Sequence, residues 1–433
     1  MSKWDTLVHK GPVFPNSFVP PNIPIIYDNK KVSISPTGQH LAILFAKTKD
    51  SLKDSTFNHN FFSCWKNFIP SSISNISLCD FSPFLSSDIP NYTIPRTHKF
   101  CYINGCSKKV SFPLIEPTCI FKGRGSHPLR GSVKFACTPK DITVNCSDAS
   151  KLSKKPWGNI VCDKSVSWLA MYSDSLGNKK YIFPDSLSDD FKKFELARTL
   201  KRKLPCLNTI VKDLYSDKDV RKYQKGCVLY LVIKLSIRIG HEKPENTADT
   251  VGCCTLRKEH ISFRSNNIVD ISFLGKDSIN FHKSFSCNPE VYKKLQLCCS
   301  RKNDSNLIFD KCDACSINYF LQNFIPGLTA KVIRTCNASR TFQSSLNSFN
   351  SASDNPIKHY KECAIKIAKL CNHVRKVKAS SSFPSSTSKT NYLDPRITFA
   401  YAKKHKLHIS SLFSPSLVSK HKWAKQTLHT FQF

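Results

Sequence analysis

The rhythm of apolar and polar positions changes near residue 189. Before it, from Trp4 onward, the chain is rich in Pro, Ser, Asn and Phe, and short alternating runs such as 32–34 and 142–144 read as strands between turns. After it, Phe191, Phe194, Leu196, Ala197 and Leu200 recur at helical spacing with Lys and Arg between them, and a largely apolar stretch at 228–239 continues as helix. Inside this helical half, two β-rich runs at 268–273 and 278–281 flank Leu274-Gly275-Lys276-Asp277, which predicts a hairpin with a lysine at its tip. The helical pattern stops at Lys378-Ala379-Ser380-Ser381-Ser382-Phe383-Pro384-Ser385-Ser386, a polar, low-complexity stretch that buries too little surface to order itself. No internal repeat has a fixed period. The expectation is an α+β multi-domain chain with a strand-containing part at 1–188, a mainly helical part at 189–375, a short flexible tether at 376–386 and a C-terminal segment at 387–433.

Length agrees with several cores, since 433 residues exceed the ~150 typical of one domain. Charge narrows the partner. The chain has 65 Lys and Arg against 31 Asp and Glu, a net +34 spread from Lys3, Lys10 and Lys30 to Lys420, Lys422 and Lys425. Acidic protein tails or an anionic membrane would answer to such charge, but a long polyanion answers best, because each phosphate contact releases counterions. No run resembles a signal peptide, and the longest apolar stretch, 227–233, is far short of the ~20 residues of a membrane span. A soluble intracellular protein is expected, with its 20 cysteines as free thiols. Cys298, Cys299, Cys312 and Cys315 offer sulfurs for a structural zinc, although their spacing is irregular and no His-x3-5-His follows.

Candidate chemistry centres on Tyr392, in the run Thr387-Ser388-Lys389-Thr390-Asn391-Tyr392-Leu393-Asp394-Pro395-Arg396-Ile397-Thr398. A phenol with a pKa of about 10 is a poor nucleophile, so attack on a phosphate requires cations around that phosphate. From Thr387 onward the segment carries eight Lys or Arg against the single acid Asp394, which would press the tyrosine toward an anionic ligand.

Four further runs accompany it: Lys234-Leu235-Ser236-Ile237-Arg238-Ile239-Gly240, Phe273-Leu274-Gly275-Lys276-Asp277-Ser278, Gly327-Leu328-Thr329-Ala330-Lys331-Val332-Ile333-Arg334-Thr335 and Leu370-Cys371-Asn372-His373-Val374-Arg375. With Thr247-Ala248-Asp249-Thr250-Val251-Gly252-Cys253-Cys254, His9-Lys10-Gly11-Pro12-Val13-Phe14 and Phe121-Lys122-Gly123-Arg124-Gly125-Ser126-His127-Pro128, the set closely resembles the eukaryotic type IB DNA topoisomerases, in the family's order. The resemblance implies Tyr392 as nucleophile and Arg238, Lys276, Arg334 and His373 as its catalytic partners. Guanidinium groups suit two charged phosphate oxygens, His373 adds a hydrogen bond, and Lys276 can protonate the leaving 5′ oxygen. Arg124 and His127 are implied as DNA contacts. Asp277 and Asn391 would line the cleavage site, where camptothecin-type inhibitors stack.

By the same resemblance, the fold is a strand-containing cap lobe and a mainly helical catalytic lobe of the tyrosine-recombinase and type IB topoisomerase kind. The chain is expected to be a monomer clamping double-stranded DNA, requiring no cofactor or metal, with no membrane association. Nuclear residence is implied by the family and by the basic cluster Arg198, Lys201, Arg202 and Lys203. The sequence lacks any G-x4-G-K-[ST] loop. Two alternatives remain open at this point: a tyrosine site-specific recombinase, which shares the chemistry, and a catalytically silent basic DNA-binding protein.

The sequence also departs from the family. Relatives usually have an aromatic at the place of Cys336, expected to loosen packing here, and Arg at the place of Lys122; the loop from Arg238 to Thr247 is one residue shorter, and 52–118 and 299–320 match poorly. No long charged N-terminal extension is expected. Only eighteen residues lie between His373 and Tyr392, at most roughly 60 Å when stretched at ~3.3–3.6 Å each, too few for the family's extended helical pair. This predicts a nearly linker-free enzyme with less hindered duplex rotation. Inserting a family-type helical pair should change processivity and religation rate in plasmid relaxation; identical kinetics would count against the expectation.

Overall fold

The computed structural model describes residues 2–89, 92–110, 112–185, 189–243, 247–350, 355–373, 375–377, 380–382 and 386–433. The chain divides into two compact units, Met1–Ser186 with Glu245–Ala248, and Leu187–Pro244 with Asp249–Phe433. It is mixed α/β, with eleven α-helices and several small sheets among the described residues.

In the N-terminal unit, two helices build one core. Helix α1 (Pro36–Ala46) starts where Ser35 accepts a hydrogen bond from the Gly38 amide, and α2 (Ser55–Trp65) where Asp54 accepts from Phe57. Their buried faces meet through Phe45 and Phe61, stacked at 4.3 Å, while the Trp65 indole donates to the Gly38 carbonyl at 2.9 Å. A second core lies against a four-stranded sheet in the order Asn159–Val161, Thr143–Asn145, Ala170–Ser173, Lys179–Ile182, with only the first pair parallel. The strand expected at 142–144 is therefore present one residue later. The one expected at 32–34 ends at Val32, in Lys30–Val32. Ile34 belongs instead to the entry of α1, where its carbonyl accepts from the Gln39 side chain at 3.1 Å.

The C-terminal unit holds the largest core, built from α3 (Asp189–Ser216), α4 (Val220–Leu235), α5 (Pro289–Cys299), α6 (Ala314–Phe324), α7 (Ala330–Asn347) and α8 (Pro356–Leu370). The helical spacing that begins at Phe191 runs through α3 past Pro205. The helix expected at 228–239 stops at Leu235. There Ser236 turns left-handed (φ 55°, ψ 30°) and its amide returns to the Val232 carbonyl at 3.0 Å, while Asn337 on α7 donates to the Ile233 carbonyl at 2.7 Å. Tertiary partners for the last carbonyls end the helix despite its apolar continuation, and residues 237–240 leave as an extended loop.

The predicted hairpin is present as Ile268–Gly275 antiparallel to Ile279–Ser286, with Phe273 opposite Phe281 and Ile261–Arg264 as third strand. Lys276, Asp277 and Ser278 form its tip, the last two with positive φ. Beyond α8, the expected tether falls partly outside the described residues; within it, the backbones of Arg375–Val377 and Ser380–Ser382 pair antiparallel. Helix α9 (Ser386–Asn391) then leads to Tyr392, and α10 (Pro395–Lys404) follows at once, capped by Asp394. A small core around Phe399, Phe413 and Ala424 closes the unit together with α11 (Pro415–Lys420).

Asp394, the only acid in that segment, is fully buried and is spent on the fold. It accepts from Nε and Nη2 of Arg396 at 3.0 and 2.7 Å, while Nη1 of Arg396 meets Glu195 on α3 at 2.5 Å. The guanidinium also lies 5.5 Å from the Trp423 ring centre and 4.9 Å from that of Phe431. One of the eight cations counted in the segment thus serves structure, not an outside anion. Arg396→Met should cost about 3–5 kcal/mol in urea unfolding, because it leaves Asp394 buried and unpaired; a loss below about 1 kcal/mol would show that the carboxylate finds another partner.

Candidate active site

Three interruptions of regular structure in the C-terminal unit bring side chains into one cleft of about 730 Å³. The first is the loop after α4. Arg238 is fixed there by hydrogen bonds from Cys253 N to its carbonyl at 2.8 Å and from Cys254 N to the Ile239 carbonyl at 2.7 Å. Those bonds require two glycines back to back. A Cβ on Gly252 would stand 2.5 Å from Gly240 N, and Gly240 itself has φ +80°. The second is the hairpin tip with Lys276 and Asp277, both exposed. The third is the end of α8, where Asn372 turns left-handed (φ 52°) and the His373 amide reaches back to Ala368 O at 2.8 Å.

Helices α7 and α9 supply the remaining parts. Arg334, buried in α7, donates from Nε to Ser236 O at 2.7 Å, from Nη2 to Cys371 O at 3.1 Å and from Nη1 to the Tyr392 hydroxyl at 2.8 Å. Its guanidinium carbon is 4.7 Å from the centre of the Tyr392 ring. Ser339, one turn and a half further along α7, binds the backbone on both sides: it donates to Tyr392 O at 2.9 Å and accepts from Asp394 N at 3.0 Å. Tyr392 is only 8% exposed, and its ring lies 5.4 Å from that of His373.

The cleft is strongly cationic. Arg238, Lys243, Lys276, Lys331 and Arg334 line it against, among the described residues, the single carboxylate of Asp277. Burial, then the nearby Arg334 charge, lowers the proton affinity of Arg238, while Tyr392 and Asp277 oppose the shift. Burial followed by the two arginine charges brings His373 down to about 4, so its ring is neutral near pH 7. His373 Nδ1 is 2.7 Å from Ser388 Oγ, whereas Nε2 is buried with no hydrogen-bond partner among the described residues. Such a site can hold a compact anion against the phenol and share its charge among several donors.

All five catalytic candidates therefore meet, and Asp277 and Asn391 line the same cleft; the Asn391 amide donates to Thr387 O at 3.1 Å. Arg124 and His127 belong to the N-terminal unit. Their turn is shaped by Gly123 and Gly125, both with positive φ, and by Arg130, which donates to Gly125 O at 2.9 Å and pairs with Asp54 at 2.7 Å. Sequence reading missed Ser236, Ser339 and Ser388. Only Ser388 left a trace, its helical i−4 spacing from Tyr392. Cys336 is buried in the main core, which pushes its thiol up to about 11. Cys298, Cys299 and Cys312 are buried and Cys315 is exposed. Among the described residues, no group of three or more His, Cys, Asp or Glu side chains is placed to hold a metal, and no helix is long and apolar enough to cross a membrane.

Comparison with known proteins adds two family matches. The family described as "Eukaryotic DNA topoisomerase I, catalytic core" matches residues 185–406, which include every catalytic candidate, and "Eukaryotic DNA topoisomerase I, DNA binding fragment" matches 2–88 and 90–184. The chain belongs to the eukaryotic DNA topoisomerase I family. It is 34% identical to DNA topoisomerase 1 of Xenopus laevis over 86% of this chain and 50% of that protein. It is 33% identical to the Homo sapiens protein of the same name over 86% of this chain and 55% of the relative, and 30% identical to that of Drosophila melanogaster over 98% and 54%. The chain thus spans about half the length of these topoisomerases.

The neutral His373 has a measurable consequence. Unfolding would return its pKa to about 6.5, so the unfolded chain binds the proton more tightly and His373 drains stability as pH falls from about 6.5 toward 4. An NMR titration of the ring should inflect near 4, and Arg334→Gln should move the midpoint upward. A parent midpoint at the ordinary value of about 6.5 would show that burial and the arginines do not act on the ring.

Proposed function

We propose that this chain relaxes supercoiled duplex DNA by cutting one strand, holding the cut end as a 3′-phosphotyrosyl bond on Tyr392, and rejoining it. The observation that carries this reading is the bond from Arg334 to the Tyr392 hydroxyl inside a cleft lined by four more Lys and Arg side chains. This guanidinium holds the phenol through Nη1, and an arriving phosphate exchanges with it.

Attack by the phenolic oxygen forms the O–P bond and breaks the bond from phosphorus to the 5′ oxygen, while the phenol proton passes to solvent water and returns when the tyrosine leaves. Negative charge builds on the two non-bridging oxygens, where Arg238 presents its guanidinium, Arg334 donates from Nη1 and His373 adds one from Nε2. Lys276, exposed on its hairpin tip, gives a proton to the departing 5′ oxygen and takes it back when the 5′ hydroxyl attacks. The phosphotyrosyl bond conserves the energy of the broken linkage, so closure needs neither ATP nor a metal ion. While the strand is open, the duplex beyond the cut swivels.

The finer architecture follows the same reading. The N-terminal unit acts as the cap lobe of a monomeric clamp, with Arg124 and His127 on the DNA, while the C-terminal unit is the catalytic lobe. Phosphate contacts dominate, giving weak sequence preference. The basic surface and the family fit a nuclear enzyme.

The test is relaxation of supercoiled plasmid without ATP and with EDTA, with trapping of protein on a 3′ end. Tyr392→Phe should abolish relaxation and trapping while DNA binding persists. Lys276→Ala should slow single-turnover cleavage by about 10²–10³, and a 5′-bridging phosphorothiolate, whose thiolate leaves without a proton, should restore the rate. Absence of any covalent complex in the parent would sink the proposal.

A further inference from the structure

Ser388 takes no part in the chemistry above, yet it touches one of its donors. It is fully buried on α9, four residues before Tyr392, and the amides of both Tyr392 and Leu393 bond to its carbonyl, at 2.9 and 3.0 Å. The serine therefore moves with the nucleophile. Its hydroxyl lies 2.7 Å from Nδ1 of His373, a residue that enters the cleft from the end of α8.

A neutral imidazole carries its proton on one nitrogen only, and the partner of the other nitrogen decides which. A hydroxyl that donates to Nδ1 leaves the proton on Nε2, the nitrogen that is buried with no partner among the described residues. A hydroxyl that accepts from Nδ1 leaves a lone pair on Nε2, which repels an incoming phosphate oxygen. Burial among Arg238 and Arg334 keeps the ring neutral near pH 7, so extra protonation cannot make up for the wrong tautomer.

We propose that Ser388 is a positioning residue that fixes His373 with its proton on Nε2, and does so only when the tyrosine-bearing helix is seated, so that donor and nucleophile become competent together. This rests on the topoisomerase reading. The bland alternative is a serine that merely satisfies a buried ring nitrogen, with no effect beyond stability.

The experiment uses the full chain with 15N-labelled histidine. Two-bond 1H–15N correlations report the His373 tautomer without DNA, and suicide-substrate cleavage reports the rate. The parent is expected in the Nε2–H form. Ser388→Ala should shift the ring toward Nδ1–H and slow cleavage by about tenfold or more; Ser388→Thr should restore both. In a His373→Ala background, Ser388→Ala should add no further loss. A parent in the Nδ1–H form, or an equal slowing without His373, overturns the inference. Should Ser388→Ala fail to fold, Ser388→Cys, a weaker donor, replaces it: the same tautomer shift supports the proposal and an unchanged spectrum overturns it. A parent that never cleaves DNA refutes the topoisomerase reading instead, while the spectra still decide the Ser388–His373 contact.

Discussion

A guanidinium buried in a helix is costly unless every donor has a partner, and Arg334 is the group around which this unit is organised. Its donors reach one carbonyl from the cap of α4, one from the end of α8 and the hydroxyl of Tyr392. Two of these acceptors are carbonyls freed by the endings of helices, groups that need donors in any case. The residue thus ties three chain segments distant in sequence to one point and leaves a single exchangeable contact, the phenol. Ser339 does the same for the backbone beside it, holding Tyr392 O and Asp394 N with one hydroxyl.

Charge then sets what the cleft can accept. Arg334 disfavours the charge of Arg238, and both disfavour a proton on His373. Only an anion relieves that crowding. Among the described carboxylates, Asp277 eases it at the cleft's edge, while Asp394 and Glu195 are used on Arg396 and Asp270 on Arg264. The unmatched positive field near Tyr392 is therefore a product of how the fold distributes its few acids.

Much of this was legible in the residues. The hairpin carrying Lys276 and the helical onset near Phe191 followed from periodicity, and the five candidates that share the cleft from spaced runs that carried a family pattern. The end of α4 was not legible, because the apolar stretch continues past Leu235 and what stops it is Asn337, a hundred residues later. The eight cations of the last segment were read as one outward-facing set, whereas Arg396 is paired internally and Lys389 donates to Leu412 O at 3.0 Å. The serines at 236, 339 and 388 were invisible for a common reason: a hydroxyl has little pattern of its own, and its role comes from the partner that the fold brings to it.

The seat of Tyr392 is built by α7, by α3 and by residues that follow the tyrosine: Ser339, Arg334, Glu195 and the Asp394–Arg396 pair. Placement is thus imposed by the helical core and by the residues just beyond the tyrosine. The connector that arrives from upstream makes none of these contacts, so its length can change while the tyrosine keeps its seat.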